Sequence, residues 1–173
     1  MSKAKNAIVL VGFMGTGKSS VSKLLSERLG FMRVDLDDEI EKFEGRKISD
    51  IFTESGEPAF REIECKVLAS ILMNGERKII ATGGGAVLNP HNRDLMLTHG
   101  WVVSLTADAR HIIERVRNDH SRPLLQGGVE ERVNKLLEQR KHAYDFADFS
   151  VDTSRMTTEE VADCIIRQWE EHA

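Results

Sequence analysis

The chain has 173 residues, 40% of them hydrophobic, and a formal net charge of −4, enough for one ordinary domain whose core needs neither disulfides nor structural metals. The acidic balance argues against a general nucleic-acid binder or a membrane-surface protein, which would display surplus Lys and Arg, so any anionic ligand has to be met by local basic residues. Cys65 and Cys164 lie far apart and form no CxxC pair, so both are expected to be reduced, inert core residues rather than parts of a disulfide framework or a thiolate metal site.

Lys3 and Lys5 precede the apolar run Ala7-Ile8-Val9-Leu10-Val11, which superficially suggests a secretory signal. The run stops at Gly12 without a cleavage site, and no stretch reaches transmembrane length, so a cytoplasmic protein is expected. Along the chain, short Val- and Ile-rich runs alternate with stretches of helical period, the pattern of βαβ units in an α/β fold with a parallel sheet covered on both faces. The expected strands are 7–11, 31–34, 78–81, 101–105 and 149–152, the first and fourth reading as continuous apolar runs of buried strands. Helical spacing predicts helices over 19–29, 57–73, 89–98, 107–118, 129–144 and 157–169, with Asn89, Thr106 and Thr157 as starts. Asp119 to Gly128, with Pro123 and Gly127-Gly128, is the least regular stretch and reads as a mobile loop.

Between the first strand and the first helix, Gly12-Phe13-Met14-Gly15-Thr16-Gly17-Lys18-Ser19 satisfies the pattern Gly-x4-Gly-Lys-Ser/Thr in the strand-to-helix context that a phosphate-binding P-loop requires. Gly12, Gly15 and Gly17 let the backbone turn tightly and aim N–H groups at phosphate oxygens, and the helix start adds the positive end of its dipole. Lys18 is placed to reach the β- and γ-phosphates and Ser19 to ligate Mg²⁺, with Thr16 and Ser20 completing the ATP-binding set. An Asn-Lys-x-Asp segment of the kind that reads guanine is missing, and the chain is short for a motor ATPase, which favours a small-molecule kinase.

On the acceptor side, Asp35 and Asp37 follow the second strand and point the same way if the chain is still extended. They read either as an acid pair, Asp35 for Mg²⁺ and Asp37 for the attacking hydroxyl, or as a helix cap with a first-turn acid. Gly83-Gly84-Gly85 follows the third strand, where glycines let backbone approach a ligand at the crevice beyond the strand ends. Arg61 and Arg140 carry the planar fork that grips a carboxylate, although a lone arginine is as readily a surface charge. Arg122, in Arg122-Pro123-Leu124-Leu125, sits where a loop could close over ATP.

Together with Phe60-Arg61-x-Ile63-Glu64, Gly83-Gly84-Gly85-Ala86-Val87 and Arg140 with Tyr144, these segments resemble in order and spacing the shikimate kinase family, small relatives of the nucleoside monophosphate kinases. The resemblance runs from Ala7 to Trp169. It implies a single P-loop kinase domain over 1–173 with a five-stranded parallel sheet of order 2-3-1-4-5, a helical substrate-binding region at about 35–64 and a lid at about 115–129. It implies transfer of the γ-phosphoryl group of ATP to the 3-hydroxyl of shikimate. By carry-over, Lys18, Asp37 and Arg122 are the catalytic set, with Ser19 and Asp35 serving Mg²⁺. Asp37, Arg61, Gly83, Gly84, Gly85 and Arg140 meet shikimate, and Arg115, Arg122 and Arg155 meet ATP. Around 141–143 and 156–158 the chain departs from the common family pattern, which bears on nucleotide affinity more than on the reaction.

The histidines form no ligand-spaced cluster, and no amphipathic stripe is left over once helices cover the sheet, so a monomer is expected. Two rivals remain. One is a kinase for another polyol such as gluconate, lacking this combination of motifs; the other is a nucleotide-dependent switch, whose acceptor site would be damaged.

Overall fold

The computed structural model describes residues 5–117 and 128–172. The predicted lid segment Arg122-Pro123-Leu124-Leu125 lies outside the described residues. Five parallel strands, β1 (Ala7–Gly12), β2 (Met32–Asp35), β3 (Lys78–Ala81), β4 (Gly100–Thr106) and β5 (Phe149–Asp152), form one sheet in the order β2-β3-β1-β4-β5. β1 is the middle strand, paired with both β3 and β4, and its six residues are all buried, as a continuous apolar run requires.

Alternation along β1 divides the core. Val9 and Val11 face the side covered by α2 (Leu36–Glu44), α3 (Ile48–Met73) and α4 (Pro90–His99), where Ile40, Phe60, Leu68 and Met96 pack. Ile8 and Leu10 face the opposite side, covered by α1 (Lys18–Leu29) and α7 (Thr158–His172) through Val21, Leu25, Val161 and Ile165. A third cluster joins Phe13 and Met14 of the P-loop to α5 (Ala109–Val116) and α6 (Val129–Gln139) through Ile112, Val116 and Val133.

The strands fall within a residue of expectation, and Asn89 and Thr157 cap helices as predicted. Asn89 Oδ1 accepts from the His91 N–H at 2.9 Å, and Thr157 and Glu160 exchange reciprocal bonds of 3.1 and 3.2 Å. Other boundaries are corrected. Asp108, not Thr106, caps α5, its carboxylate accepting from the His111 N–H at 2.9 Å. α6 stops at Gln139, and the chain turns through 140–146 instead of continuing to Tyr144. The periodicity reading left α2 and the first part of α3 without helices. Leu36 and Ile40 are its only buried apolar residues, among six charged ones, and α3 contains Gly56 (φ 82°, ψ 170°) and Pro58, which kink it into two segments and break the apolar pattern. The cysteines are half-buried rather than core residues, and both are free.

Candidate active site

At the carboxyl ends of the strands lies a cleft of about 350 Å³, lined on one side by the P-loop and on the other by α2, α3 and the segment after β3. Gly12 has φ 145°, and a Cβ there would collide with the Leu105 carbonyl of β4, so only glycine lets the loop leave the sheet at this point. The Thr16 hydroxyl donates to the Phe13 carbonyl at 2.8 Å, and Thr153 Oγ1 stands 3.0 Å from the Thr16 carbonyl, so the loop is braced from within and from the residue that follows β5. Arg115 on α5 donates to the Gly15 carbonyl at 2.8 Å. Lys18 Nζ lies 2.6 and 2.9 Å from the carbonyls of Gly12 and Phe13, which holds the ammonium over the mouth of the loop.

Gly15, Gly17, Lys18, Ser19, Ser20 and Arg115 all line the cleft, while Thr16 is buried beneath it. Arg155 does not join them; it is exposed on the turn after β5.

Asp35 ends β2 and caps α2, with Oδ1 accepting the Asp38 N–H at 3.2 Å. Its Oδ2 accepts from the Ser19 hydroxyl at 3.4 Å. The cap reading is realised, with Asp35 capping α2 and Asp37 in its first turn, and both carboxylates also line the cleft. The expectation of a shared direction along extended chain is corrected, because Asp37 sits in the first turn of α2. That turn is seated by Leu36 and Ile40, both fully buried, each such side chain worth about 1.5–3 kcal/mol. Serine hydroxyl and carboxylate are hard oxygen donors of the kind Mg²⁺ takes, with waters and phosphates filling the remaining positions. Among the described residues no group of three or more His, Cys, Asp or Glu gathers to hold a metal by protein ligands alone.

The side of the cleft opposite the P-loop is built on α3. Arg61 donates to Glu64 at 3.0 Å and to Glu57 at 3.3 Å, and its guanidinium lies 5.2 Å from the Phe60 ring centroid. It rests on Gly85, where a Cβ would stand 2.5 Å from Arg61 Cζ. Arg140, only 5% exposed, follows α6; its Nη1 would stand 3.3 Å from a Cβ on Gly84, and Cζ lies 5.8 Å from the Phe13 ring centroid. Tyr144 donates to the Gly84 carbonyl at 2.7 Å. A Cβ on Gly83 would approach Asp37 Oδ1 to 3.1 Å. Each of the three glycines therefore makes room for one side chain of the site.

Glu64 was given no role by sequence reasoning. It is 1% exposed, and burial pushes its carboxyl up to about 7 against the opposing pull of Arg61. The available signal was its i+3 spacing from Arg61 on a helix. Arg61 Nε, Arg140 Nη1 and Glu64 Oε2 are buried without a hydrogen-bond partner among the described residues. Ile48, Phe52 and Phe60 form the apolar wall, of which Ile48 and Phe52 lie on the part of α3 before Glu57 that periodicity does not predict.

A P-loop facing a cleft of paired acids and arginines, on a parallel sheet of this order, defines a P-loop kinase of small molecules. A family model described as shikimate kinase matches residues 14–170. A shikimate kinase of Thermodesulfovibrio yellowstonii is 46% identical over 94% of each chain, and one of Pelotomaculum thermopropionicum is 42% identical over 95% of this chain and 96% of its own. The solved shikimate kinase of Acinetobacter baumannii, in complex with shikimate, superposes with a TM-score of 0.92 at 34% identity, covering 97% of this chain and 94% of that one. The chain belongs to the shikimate kinase family. A gluconokinase of Sinorhizobium meliloti, 17% identical with a TM-score of 0.60 over 97% of each chain, shares the fold.

Proposed function

We propose that this protein transfers the γ-phosphoryl group of ATP to the 3-hydroxyl of shikimate. The observation that carries the reading is the pair of buried guanidinium nitrogens without partners, Arg61 Nε and Arg140 Nη1, on the acceptor side of the P-loop cleft. Buried donors are normally satisfied, and a ligand carboxylate beside Gly84 and Gly85 would satisfy both with charge-assisted bonds.

With the carboxylate held there, the ring lies between Arg61 and the P-loop, and Asp37 accepts a hydrogen bond from the attacking hydroxyl, orienting its oxygen towards the γ-phosphorus. Lys18 neutralises charge on the β- and γ-phosphates, and Arg122, assigned from its sequence position, does so on the transferring group. Ser19 and Asp35 hold Mg²⁺, which when bound neutralises phosphate charge. Residues about 35–64 hold the acceptor and about 115–129 form the lid of a single kinase domain. Arg115 serves the nucleotide from the cleft wall, and Arg155, exposed on the turn after β5, is assigned to it from its sequence position alone. Among the described residues no helix is long and apolar enough to cross a membrane. The reading is of a monomeric cytoplasmic enzyme of aromatic biosynthesis that engages no nucleic acid and no membrane.

The test is steady-state ADP release with Mg-ATP in parallel reactions containing shikimate, gluconate or no acceptor. Release that depends on shikimate alone is expected. Release with gluconate would select the other polyol kinase, and acceptor-independent release would retract the acceptor site.

A further inference from the structure

The acceptor contacts of the Gly83–Gly85 loop depend on where that loop stands relative to α3, and a chain of polar side chains outside the cleft, centred on the buried Asn92, joins the two. Asn92, on the first turns of α4, is 1% exposed. Its Nδ2 donates to the Ala86 carbonyl at 2.9 Å, and its Oδ1 accepts from Cys65 Sγ at 3.0 Å. Cys65 Sγ in turn accepts from Asn89 Nδ2 at 2.8 Å, and Asn89 spends its Oδ1 on the cap of α4. Arg93 donates to the Val87 carbonyl at 2.8 Å.

Each polarity is forced. A main-chain carbonyl only accepts, so Asn92 must present its NH₂ to Ala86 and its oxygen to the thiol; the cap likewise fixes Asn89. The thiol is the relay between them, and burial, reinforced by the neighbouring Glu64 charge, keeps it protonated and able to donate. Cys65 lies next to Glu64 and one helical turn beyond Arg61, on the segment that grips the acceptor. Ala86 directly follows Gly85, against which Arg61 rests.

We propose that Asn92 is a positioning residue for the acceptor site, tying the glycine loop to the helix that carries Arg61 and Glu64 through Ala86 on one side and Cys65 on the other. It touches neither substrate. Its influence is on the separation of Gly84 and Gly85 from Arg61, so its loss acts on the acceptor half and leaves the P-loop half alone. The kinetic part of this inference rests on the proposed shikimate kinase activity; the structural part does not.

The experiment pairs kinetics with hydrogen exchange on the full chain. Asn92→Ala is expected to raise the KM for shikimate about tenfold, the equivalent of one buried hydrogen bond, with the KM for ATP within about twofold. Amides of residues 83–88 should exchange faster, with those of 12–19 unchanged. Cys65→Ala should shift the same readouts in the same direction, and Cys65→Ser, whose hydroxyl both donates and accepts, should return them towards wild type. This second pair carries the test if Asn92→Ala does not fold. Equal rises in both KM values, or unchanged exchange at 83–88, would overturn the proposal. If wild type itself does not turn over shikimate, the functional reading fails, and the exchange data still decide the role of Asn92.

Discussion

Asp37 and Glu64 are two carboxylates that border the same space beside Gly83, and their surroundings give them different work. Asp37 lines the cleft on the first turn of α2, where it can take a hydrogen bond from an acceptor hydroxyl. Asp37→Asn keeps the shape and leaves the Leu36 and Ile40 anchors in place, so the variant should fold with a near-normal Tm while kcat falls about 10²- to 10⁴-fold; near-normal turnover would remove Asp37 from this role. Glu64 is buried, and its carboxyl is raised from 4.5 to about 7 by burial first, with Arg61 and Arg140 opposing and Asp37 adding to the rise. Between those values the folded chain holds a proton that the unfolded chain has released, so stability falls as pH rises through this window. The contribution is fully present below about pH 4.5 and is lost above about pH 7, on the order of 3 kcal/mol in all. Glu64→Gln does not titrate, so wild type should lose stability relative to the variant between about pH 5 and pH 8 in parallel thermal melts. A constant difference across that range would place the proton elsewhere.

At the scale of elements, the loop after β3 matters through the side chains that its missing Cβ atoms admit. Gly85 has φ −96° and ψ −1°, a conformation open to any residue, so Gly85→Ala carries no backbone strain. The added methyl would meet the Arg61 guanidinium, the far end of a flexible side chain, and Arg61 has to leave its place between Glu57 and Glu64. The expected result is a KM for shikimate raised about tenfold or more, with ATP kinetics and Tm little changed, because a displaced bidentate contact forfeits about 1.5–3 kcal/mol of charged hydrogen bonding. Equal losses for both substrates would mean that the loop serves the nucleotide as well. Gly12 differs, since its φ of 145° and the Leu105 backbone oxygen leave no room for adjustment. α3 combines two purposes: Leu68 and Leu72 bury it against the sheet, and beyond the kink at Gly56 it brings Phe52 and Ile48 round to wall the cleft.

For the whole molecule, the sheet order puts β1 next to β3, so that the P-loop and the glycine loop leave neighbouring strands at the same edge. Asp35 arrives there at the end of β2, on the far side of β3. Nucleotide and acceptor halves are therefore joined through a buried sheet, and ligand binding to either half should stabilise the fold as a unit. Shikimate at about a hundred times its Kd should add about 2.7 kcal/mol, a Tm rise of roughly 5–10 °C for a chain of this length. A rise with Mg-ADP but none with shikimate would leave the P-loop assignment standing and withdraw the acceptor site.

The sequence by itself determined the strands, because buried parallel strands must be continuous apolar runs, and it determined the P-loop, because phosphate binding demands glycines, lysine and hydroxyl at fixed spacing along a contiguous segment. Arg61, Arg140 and the glycine triplet were legible as residue types, and the resemblance of their motifs assigned their roles. Tertiary structure alone decided that Arg61 rests on Gly85 and Arg140 on Gly84, that Glu64 is buried with its carboxyl pushed up, and that Cys65 and Asn92 share one polar chain. It also decided that Asp37 enters the cleft from a helical turn rather than from a strand. Burial and partnership arise from residues distant in sequence and depend on how helices lie across the sheet, which local periodicity does not specify. For the same reason α2 and the start of α3 escaped the periodicity reading: their stability comes from a few buried anchors and a cap, with the rest of their residues turned to solvent or to the cleft.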